Sequence, residues 1–447
     1  MRRAERDARE ARVAIHRRGF LALASWAAVA PIRAAESPLR LPAVDEGLLR
    51  AAGFRKLAGT HLTLFTDLRA APEIDELPLA FDLAFPQWCE YFRVDAARHS
   101  DWRVTGFLGK DRSRFEQARV LPLDVPDFHS GFSWNHRLWC YEQASDYYRR
   151  HLLLHEGTHS FMNTLLGHCG PSWYMEGVAE LLATHRWQDG RLTLNYFPAD
   201  KADTPMWGRI KVIKDDYAAQ RAKPLEMVFE YRWPAMSEVE PYAWCWAAAV
   251  FFDRHPRYRD RFRQLVPLVR QKDFTARFRQ MLAGDWAELR EEWQVFVTDL
   301  EYGYDVARAA VEFAPGQAIP PTGGRATVEA ARGWQSSRLR LEAGKTYRLR
   351  AAGRYQVADR PQTWWCEPGG VSIRYYRGRP LGIVLAAVRP DEAGPLSALL
   401  DPMTVGLEAT IKPPSSGTLY LRINDSAAEL ADNAGTLTVT VDEVPAP

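Results

Sequence analysis

The sequence predicts a multidomain α+β protein: a small α/β unit, then a mainly helical unit, then an antiparallel β-sandwich. Three observations carry this. At 447 residues the chain exceeds an ordinary domain of about 100–200 residues. From about residue 140 to 305 the apolar pattern is helical. Past Phe313 it changes to short alternating runs separated by Pro and Gly.

Residues 1–35 read as a twin-arginine-like export signal. Arg17-Arg18 lead into Phe20-Leu21, an apolar run follows through Ala30, and small residues stand at Ala34 and Ala35. An ordinary secretory signal or an uncleaved anchor is the alternative. Either way the expected location is periplasmic or extracellular, with no integral membrane domain beyond the signal. Residues 45–130 form the expected α/β unit. Thr60 to Thr66 alternates like a half-buried strand, Pro72 opens a helix running to about Phe92, and Val104 to Leu108 reads as a second strand.

Residues 131–305 form the helical unit. Ser145 or Asp146 can cap a helix that runs to about Leu166, where Gly167 offers a stop. Pro171-Ser172 opens the next helix, to about Thr184. Further helices are expected over 242–253, 256–271 and 274–300. Residues 306–325, rich in Pro and Gly, read as a linker. Residues 326–447 read as the sandwich, with strands at Thr346–Arg350, Thr418–Arg422 and Thr436–Val441.

Composition narrows the function. Lys and Arg number 58 against 56 Asp and Glu, a formal charge of +2, so no nucleic-acid footprint is present. Five cysteines with no C-x-x-C pair exclude a cysteine-based zinc site, and no disulfide is assigned.

The chemistry lies in His155-Glu156-Gly157-Thr158-His159. Residues four apart share a helix face, so both imidazoles reach one ion while Glu156 projects beside it. Leu152, Leu153 and Leu154 before the motif, and Phe161 and Met162 after it, bury this helix. Two unliganded histidines there would be costly. A catalytic zinc takes three protein ligands, and Trp173-Tyr174-Met175-Glu176-Gly177-Val178-Ala179-Glu180 offers two carboxylates one helical turn apart. His151 reads as lying behind the ligands or facing solvent, and His168 as a loop residue.

The last segment resembles the Trp-x-x-Glu-Gly-x-Ala-Glu element of gluzincin-type zinc metallopeptidases. Tyr147 to Leu182, with Tyr242-Ala243-Trp244, resembles an uncharacterised secreted bacterial group of the peptidase MA-like superfamily, over about residues 50–305. The resemblance implies a zincin-like helical domain with one zinc ion held by His155, His159 and Glu176. Glu156 would be the general base, taking a proton from water and delivering it to the leaving amine of a peptide or protein substrate. Glu180 would orient a ligand imidazole from behind. Tyr242 would steady the oxyanion, with His185 as second choice, although a tyrosine packed at a helix start explains Tyr242 equally well. Two features depart from the pattern. Glu176 follows His159 by only seventeen positions, and no Gly-x-Met-Glu-Asn element precedes His155, which weakens an exopeptidase reading.

The segment from Leu421 to Asp425, then Asp432-Asn433-Ala434-Gly435, resembles the closing hairpin of bacterial galactose-binding calcium lectins. That implies calcium ligands among Asp425, Asp432 and Asn433, and a carbohydrate ligand for which Trp364 or Trp365 would supply a stacking face. Asp, Asn and Gly also make ordinary turns. The rival to a peptidase is an inactive surface or periplasmic binding protein whose sandwich takes carbohydrate.

Overall fold

The computed structural model describes residues 41–122, 125–232, 236 and 238–444. The export-signal reading of residues 1–35 lies outside them. The chain is a multidomain α+β protein, as expected. No helix among the described residues is long and apolar enough to cross a membrane.

Short helix α1 (Glu46–Ala51) precedes a five-stranded sheet ordered β1-β2-β3-β5-β4. Its strands are β1 (Arg55–Ala58), β2 (Leu62–Thr66), β3 (Val104–Gly109), β4 (Gly131–Trp134) and β5 (Arg137–Tyr141). Strands β2, β3 and β5 run parallel, and β4 returns antiparallel on β5 as an edge strand. The sheet is covered on both faces, so β2 and β3 are nearly continuously buried. On one face Phe65, Phe107 and Trp139 pack on Phe54 and Phe115. On the other, Leu62, Leu64, Leu138 and Cys140 join the core of the helices.

This corrects the expected boundary at residue 130. Strands β4 and β5 complete the first unit's sheet from within the segment assigned to the second, and one core serves both. The expected helix from Pro72 is divided into Pro72–Asp75 and α2 (Leu77–Phe92).

Helix α3 (Asp146–Phe161) is capped by Ser145, whose hydroxyl accepts from Tyr148 N at 3.3 Å. It ends in a π-helical turn, Met162–Leu166, stopped by Gly167 at φ 78°. Helix α4 (Ser172–Ala183) follows, then hairpin β6–β7 (Arg186–Gln188, Arg191–Thr193), α5 (Arg209–Ala218), α6 (Val239–Arg254) and α7 (Trp286–Asp299).

Two expected helices are broken. Over 256–271 only Arg259–Arg263 and the turn Val266–Leu268 form, because Pro267 cannot donate a backbone hydrogen bond. Over 274–300, Gly284 separates Phe274–Met281 from α7. Helix α5 and the β6–β7 hairpin were not foreseen.

Two glycines set the helix spacing. A Cβ on Gly157 would stand 2.6 Å from Phe81 of α2, and one on Gly177 would stand 2.7 Å from the Cys245 carbonyl of α6. Helices α3 and α4 therefore approach their neighbours backbone-close. All five cysteines are buried and unpaired.

The sandwich packs a five-stranded sheet on a four-stranded one. The first, in order, is β17 (Met403–Thr404), β16 (Val384–Pro390), β19 (Gly417–Ile423), β10 (Gln335–Leu341) and β8 (Gln317–Ala318). The second is β18 (Glu408–Ile411), β11 (Thr346–Ala352), β20 (Thr436–Val444) and β9 (Gly324–Glu329). Strand β9 alternates buried and exposed residues without interruption. The inward set, including Val328, Leu349, Val439, Leu419 and Leu421, fills the space between the sheets. Two small hairpins, β12–β13 (Tyr355–Ala358, Trp364–Cys366) and β14–β15 (Val371–Tyr376, Arg379–Leu381), lie alongside.

The expected linker is largely part of the packing. Val306, Ala309 and Val311 are buried, and residues Gln317–Ala318 pair with β10. The sandwich sits directly on α7. Glu291 takes Arg389 and Ser397, Gln294 bonds the backbone at 395 and 397, and Asp299 takes Arg377 and Arg422. Val295, Trp334, Leu385 and Tyr420 fill the apolar seam.

The spacing argument predicts the sign of one substitution. Gly177→Ala gains about 1 kcal/mol in helix propensity, but it sets a methyl against a backbone carbonyl that cannot turn away, an overpacking cost of about 1–3 kcal/mol. A net loss is expected in urea unfolding. A variant as stable as the parent would show that α4 and α6 can separate freely.

Candidate metal centre

Helices α3 and α4 bring three ligand atoms to one point. His155 Nε2 and His159 Nε2 lie 3.0 Å apart, and Glu176 Oε2 lies 3.2 Å from the first and 3.4 Å from the second. The three residues are buried and mutually placed to hold an ion. In a tetrahedral zinc site with ligands at about 2.0–2.1 Å, donor atoms stand about 3.3 Å apart. The observed triangle has that size. Glu176 Oε2 is buried with no hydrogen-bond partner, a costly arrangement that a cation resolves. The donor set therefore fits zinc.

Charge follows the same logic. Burial opposes ionisation of Glu176, but His159 and His155 outweigh it and bring the carboxyl down to about 2. Burial likewise opposes a charged His155, yet Glu176 holds it up to about 9.

Glu180, one turn after Glu176, is placed differently. Its Oε1 lies 3.5 Å from His155 Nδ1, behind the ligand imidazole. Arg209 of α5 grips the same carboxylate through both oxygens, Nε to Oε2 at 3.0 Å and Nη2 to Oε1 at 2.8 Å. Burial works against the charge, but Arg209 and then His151 keep this carboxyl well below its usual range. His151, His155 and Glu180 also come close enough to hold an ion, but the Arg209 guanidinium already supplies a positive charge there. His151 is buried, with Nδ1 3.0 Å from the Ala183 carbonyl and Nε2 3.3 Å from Glu180. Of its two expected placements, solvent exposure is excluded.

Glu156 lies beside the triangle, 5 % exposed. Burial raises its pKa, partly offset by His155 and His159 and by the Ser133 hydroxyl. Edge strand β4 runs directly over it. A Cβ on Gly131 would stand 2.6 Å from Glu156 Oε1 and 2.9 Å from a Leu152 methyl, so any side chain there would displace the glutamate from its present position. The cleft beside it is about 290 Å³, its apolar lining including Phe128, Phe132, Leu152, Met236 and Val239.

Tyr242, in the first turn of α6, lines this cleft with its ring 6.1 Å from that of His155. The Arg209 guanidinium lies 5.8 Å from the ring centre. The Tyr242 hydroxyl has no hydrogen-bond partner among the described residues. Burial, then Glu176 and Glu156, push its pKa up, so it remains a donor. His185, the second choice, is elsewhere. It stacks on Tyr147 at 4.6 Å, accepts from Arg150 Nε at 3.2 Å and lies 2.8 Å from the Ala183 carbonyl, and burial takes its pKa down to about 3. His168 is an exposed turn residue whose Nδ1 accepts from Gly170 N.

Sequence reasoning missed Arg209 and Gly131. Nothing in the spacing around Arg209 announces its partner. The alternation of Gly131-Phe132-Ser133-Trp134 was visible but fell on the assumed boundary.

In the sandwich, Asp425 is 3 % exposed and Asn433 is 6 % exposed. Asp425 accepts from Ser426 N at 2.7 Å and from Asn433 Nδ2 at 2.8 Å. Burial, against which these bonds work, pushes its carboxyl up to about 7. Asp432 Oδ1 and Asn433 Oδ1 are buried and unpartnered. Oxygen donors of this kind suit a hard cation. Trp364 is half-buried against the core, while Trp365 is exposed with the Arg354 guanidinium 5.6 Å from its ring.

Comparison with known proteins assigns no family. No family model matches the chain, and no curated protein does. Among solved structures, a domain described as "EclA N-terminal domain; PllA-like lectin" is similar at 21% identity and TM-score 0.22, covering 27% of this chain and 96% of that one. At that TM-score the likeness carries no argument about function.

Metal titration separates the two carboxylates of α4. Glu176→Gln is expected to empty the site, whereas Glu180→Gln should bind zinc about 10–100-fold more weakly and recover with excess metal. Tight zinc in Glu176→Gln together with its loss in Glu180→Gln would reverse the assignment.

Proposed function

We propose that this chain is a zinc-dependent peptide hydrolase acting outside the cytoplasm, the location resting on the arginine-pair leader. One observation carries the reading: three buried ligand atoms converge on a point, with Glu156 beside them on the wall of an open cleft. Zinc bound by His155, His159 and Glu176 would supply a Lewis acid that polarises a carbonyl and acidifies water.

The protein's own groups do the rest. Glu156 accepts the proton of the attacking water and returns it to the leaving amine. Its partial desolvation favours that exchange, since a carboxylate with a raised pKa is the better base. Glu180, fixed by Arg209, lies 3.5 Å from His155 Nδ1 and favours a proton on that nitrogen, which leaves Nε2 for the metal position. Tyr242 donates its hydroxyl to the oxyanion that develops on the substrate carbonyl.

A peptide substrate suits the cleft. Among the described residues β4 pairs only with β5, leaving backbone N–H and C=O groups on its other edge. An extended peptide can bond to them as an added strand. Absence of a Gly-x-Met-Glu-Asn element favours internal cleavage over removal of a terminal residue.

For the sandwich we propose a calcium site at Asp425, Asp432 and Asn433, supported by the two orphaned oxygens. The exposed Trp365 is its candidate carbohydrate contact. An inactive binding protein would share these features, but it would leave Glu156 without a task.

Glu156→Gln distinguishes the readings. The variant is expected to retain zinc and to lose hydrolysis of a mixed peptide library by at least about 100-fold, the lower end of general-base contributions. Undiminished turnover in the variant would refute the base assignment, and a zinc-loaded parent that cleaves nothing would favour the binding protein.

A further inference from the structure

A cavity of about 350 Å³ lies where the sandwich meets the helical unit. The helical side contributes Tyr217 of α5 and Val295, Thr298 and Asp299 of α7. The sandwich contributes Trp334, the arginines Arg377, Arg379 and Arg422, and the turn at residues 399–402. Cavities of this size at the junction of two units are common places for a small ligand. None of His155, His159 and Glu176 lines it.

Its charged groups converge on one carboxylate. Asp299 accepts from Arg377 Nη1 and, at 3.2 Å, from Arg422 Nη1. Burial opposes the charge on Asp299, but the two guanidiniums keep its carboxyl below the usual range. One anion therefore faces two cations, and the side chains of Asp299 and Arg422 are only 10 % and 12 % exposed. Of the other charged groups in the lining, Arg379 donates to the Pro402 carbonyl at 3.0 Å, and Asp401 is exposed. They are equal in number and opposite in sign. Glu301 is outside the lining, its carboxylate held by the Ser426 and Tyr376 hydroxyls. The Arg422 guanidinium lies 5.2 Å from the centre of the Trp334 ring, and its Nε is buried without a hydrogen-bond partner. Nε and Nη2 form the edge through which a guanidinium pairs a carboxylate by two parallel bonds. Val295, Leu385, Leu399 and Leu400 make the rest of the wall apolar.

We propose that this cavity is a second ligand site, taking a small organic carboxylate that carries a branched apolar group. The carboxylate pairs with Arg422 and supplies the negative charge that Asp299 alone does not. The apolar group lies against the leucines. A monoanion matches an excess of one positive charge, two guanidiniums against one carboxylate. Inorganic phosphate would leave the leucine wall unused, and a neutral ligand would leave the buried cation without its counter-charge. Because both units line the cavity, a bound ligand touches both and stabilises them in the docked arrangement. The site is independent of the metal centre.

The test titrates the full, zinc-loaded chain with N-acetyl-leucine by calorimetry, with N-acetyl-leucinamide and inorganic phosphate as comparisons. N-acetyl-leucine is expected to bind and to raise the melting temperature. The amide, which lacks the charge, and phosphate, which lacks the apolar group, should each bind at least about 10-fold more weakly. Arg422→Lys keeps a positive charge beside Asp299 but withdraws the guanidinium edge, and Leu400→Trp fills the cavity without touching a charge. Each variant is expected to weaken N-acetyl-leucine binding by about 10-fold or more, with zinc content unchanged. Should Arg422→Lys fail to fold, Leu400→Trp decides alone. Parent-like affinity in Leu400→Trp would place the probe outside the cavity, and binding lost when a chelator strips the zinc would place it on the metal. Either result overturns the proposal, as does a parent that binds no N-acetyl-leucine, or that binds the amide or phosphate as tightly.

Discussion

Buried charge is the constraint around which the helical unit is organised. Glu156, Glu176 and Glu180 are all at least nine-tenths buried, and one guanidinium, that of Arg209, is buried with them. When all three are ionised, the Arg209 guanidinium and the His155 imidazole, whose pKa is held up to about 9, stand against three carboxylates and leave a net negative charge in a low-dielectric interior. Such an imbalance is strongly destabilising unless it is neutralised. Arg209 neutralises Glu180. In the proposed reading a divalent cation between His155, His159 and Glu176 would neutralise the remainder, where two imidazole nitrogens and an orphaned carboxylate oxygen already meet. The metal reading is thus the arrangement that satisfies both the donor geometry and the charge.

The backbone is arranged to make that concentration possible. Gly157 lets α3 lie against Phe81 and Trp88, and Gly177 lets α4 lie against the α6 carbonyls. With both helices held close, ligands from each reach one point. Gly131 repeats the device on the sheet, where the missing side chain gives Glu156 its place below the strand edge. Edge strand β4 and Glu156 are consequently in direct contact.

Much of this was legible from local sequence. The i, i+4 histidines, Ser145 as cap, Gly167 as stop and the alternation of the sandwich strands are short-range signals, and each appears where the chain pattern placed it. What was missed depends on long-range packing. Arg209 is 29 residues from Glu180, and no periodicity records that pairing. The boundary at residue 130 failed because a sheet recruits strands by hydrogen bonding, not by sequence neighbourhood. The 256–271 helix is broken because Pro267, inside the expected span, has no backbone N–H to donate. The linker was read from Pro and Gly alone, whereas Val306, Ala309 and Val311 show that apolar residues nearby decide whether such a segment packs. His185 was a second choice implied by the gluzincin resemblance, and it stacks on Tyr147 outside the cleft lining.

The most direct measurement is zinc K-edge X-ray absorption on the purified, zinc-loaded chain. A centre built from His155, His159 and Glu176 predicts four nitrogen or oxygen neighbours at about 2.0–2.1 Å, with outer-shell scattering from two imidazoles. A sulfur neighbour at about 2.3 Å, or three imidazoles, would place the metal elsewhere. A chain that retains no zinc at all would contradict the account at its base.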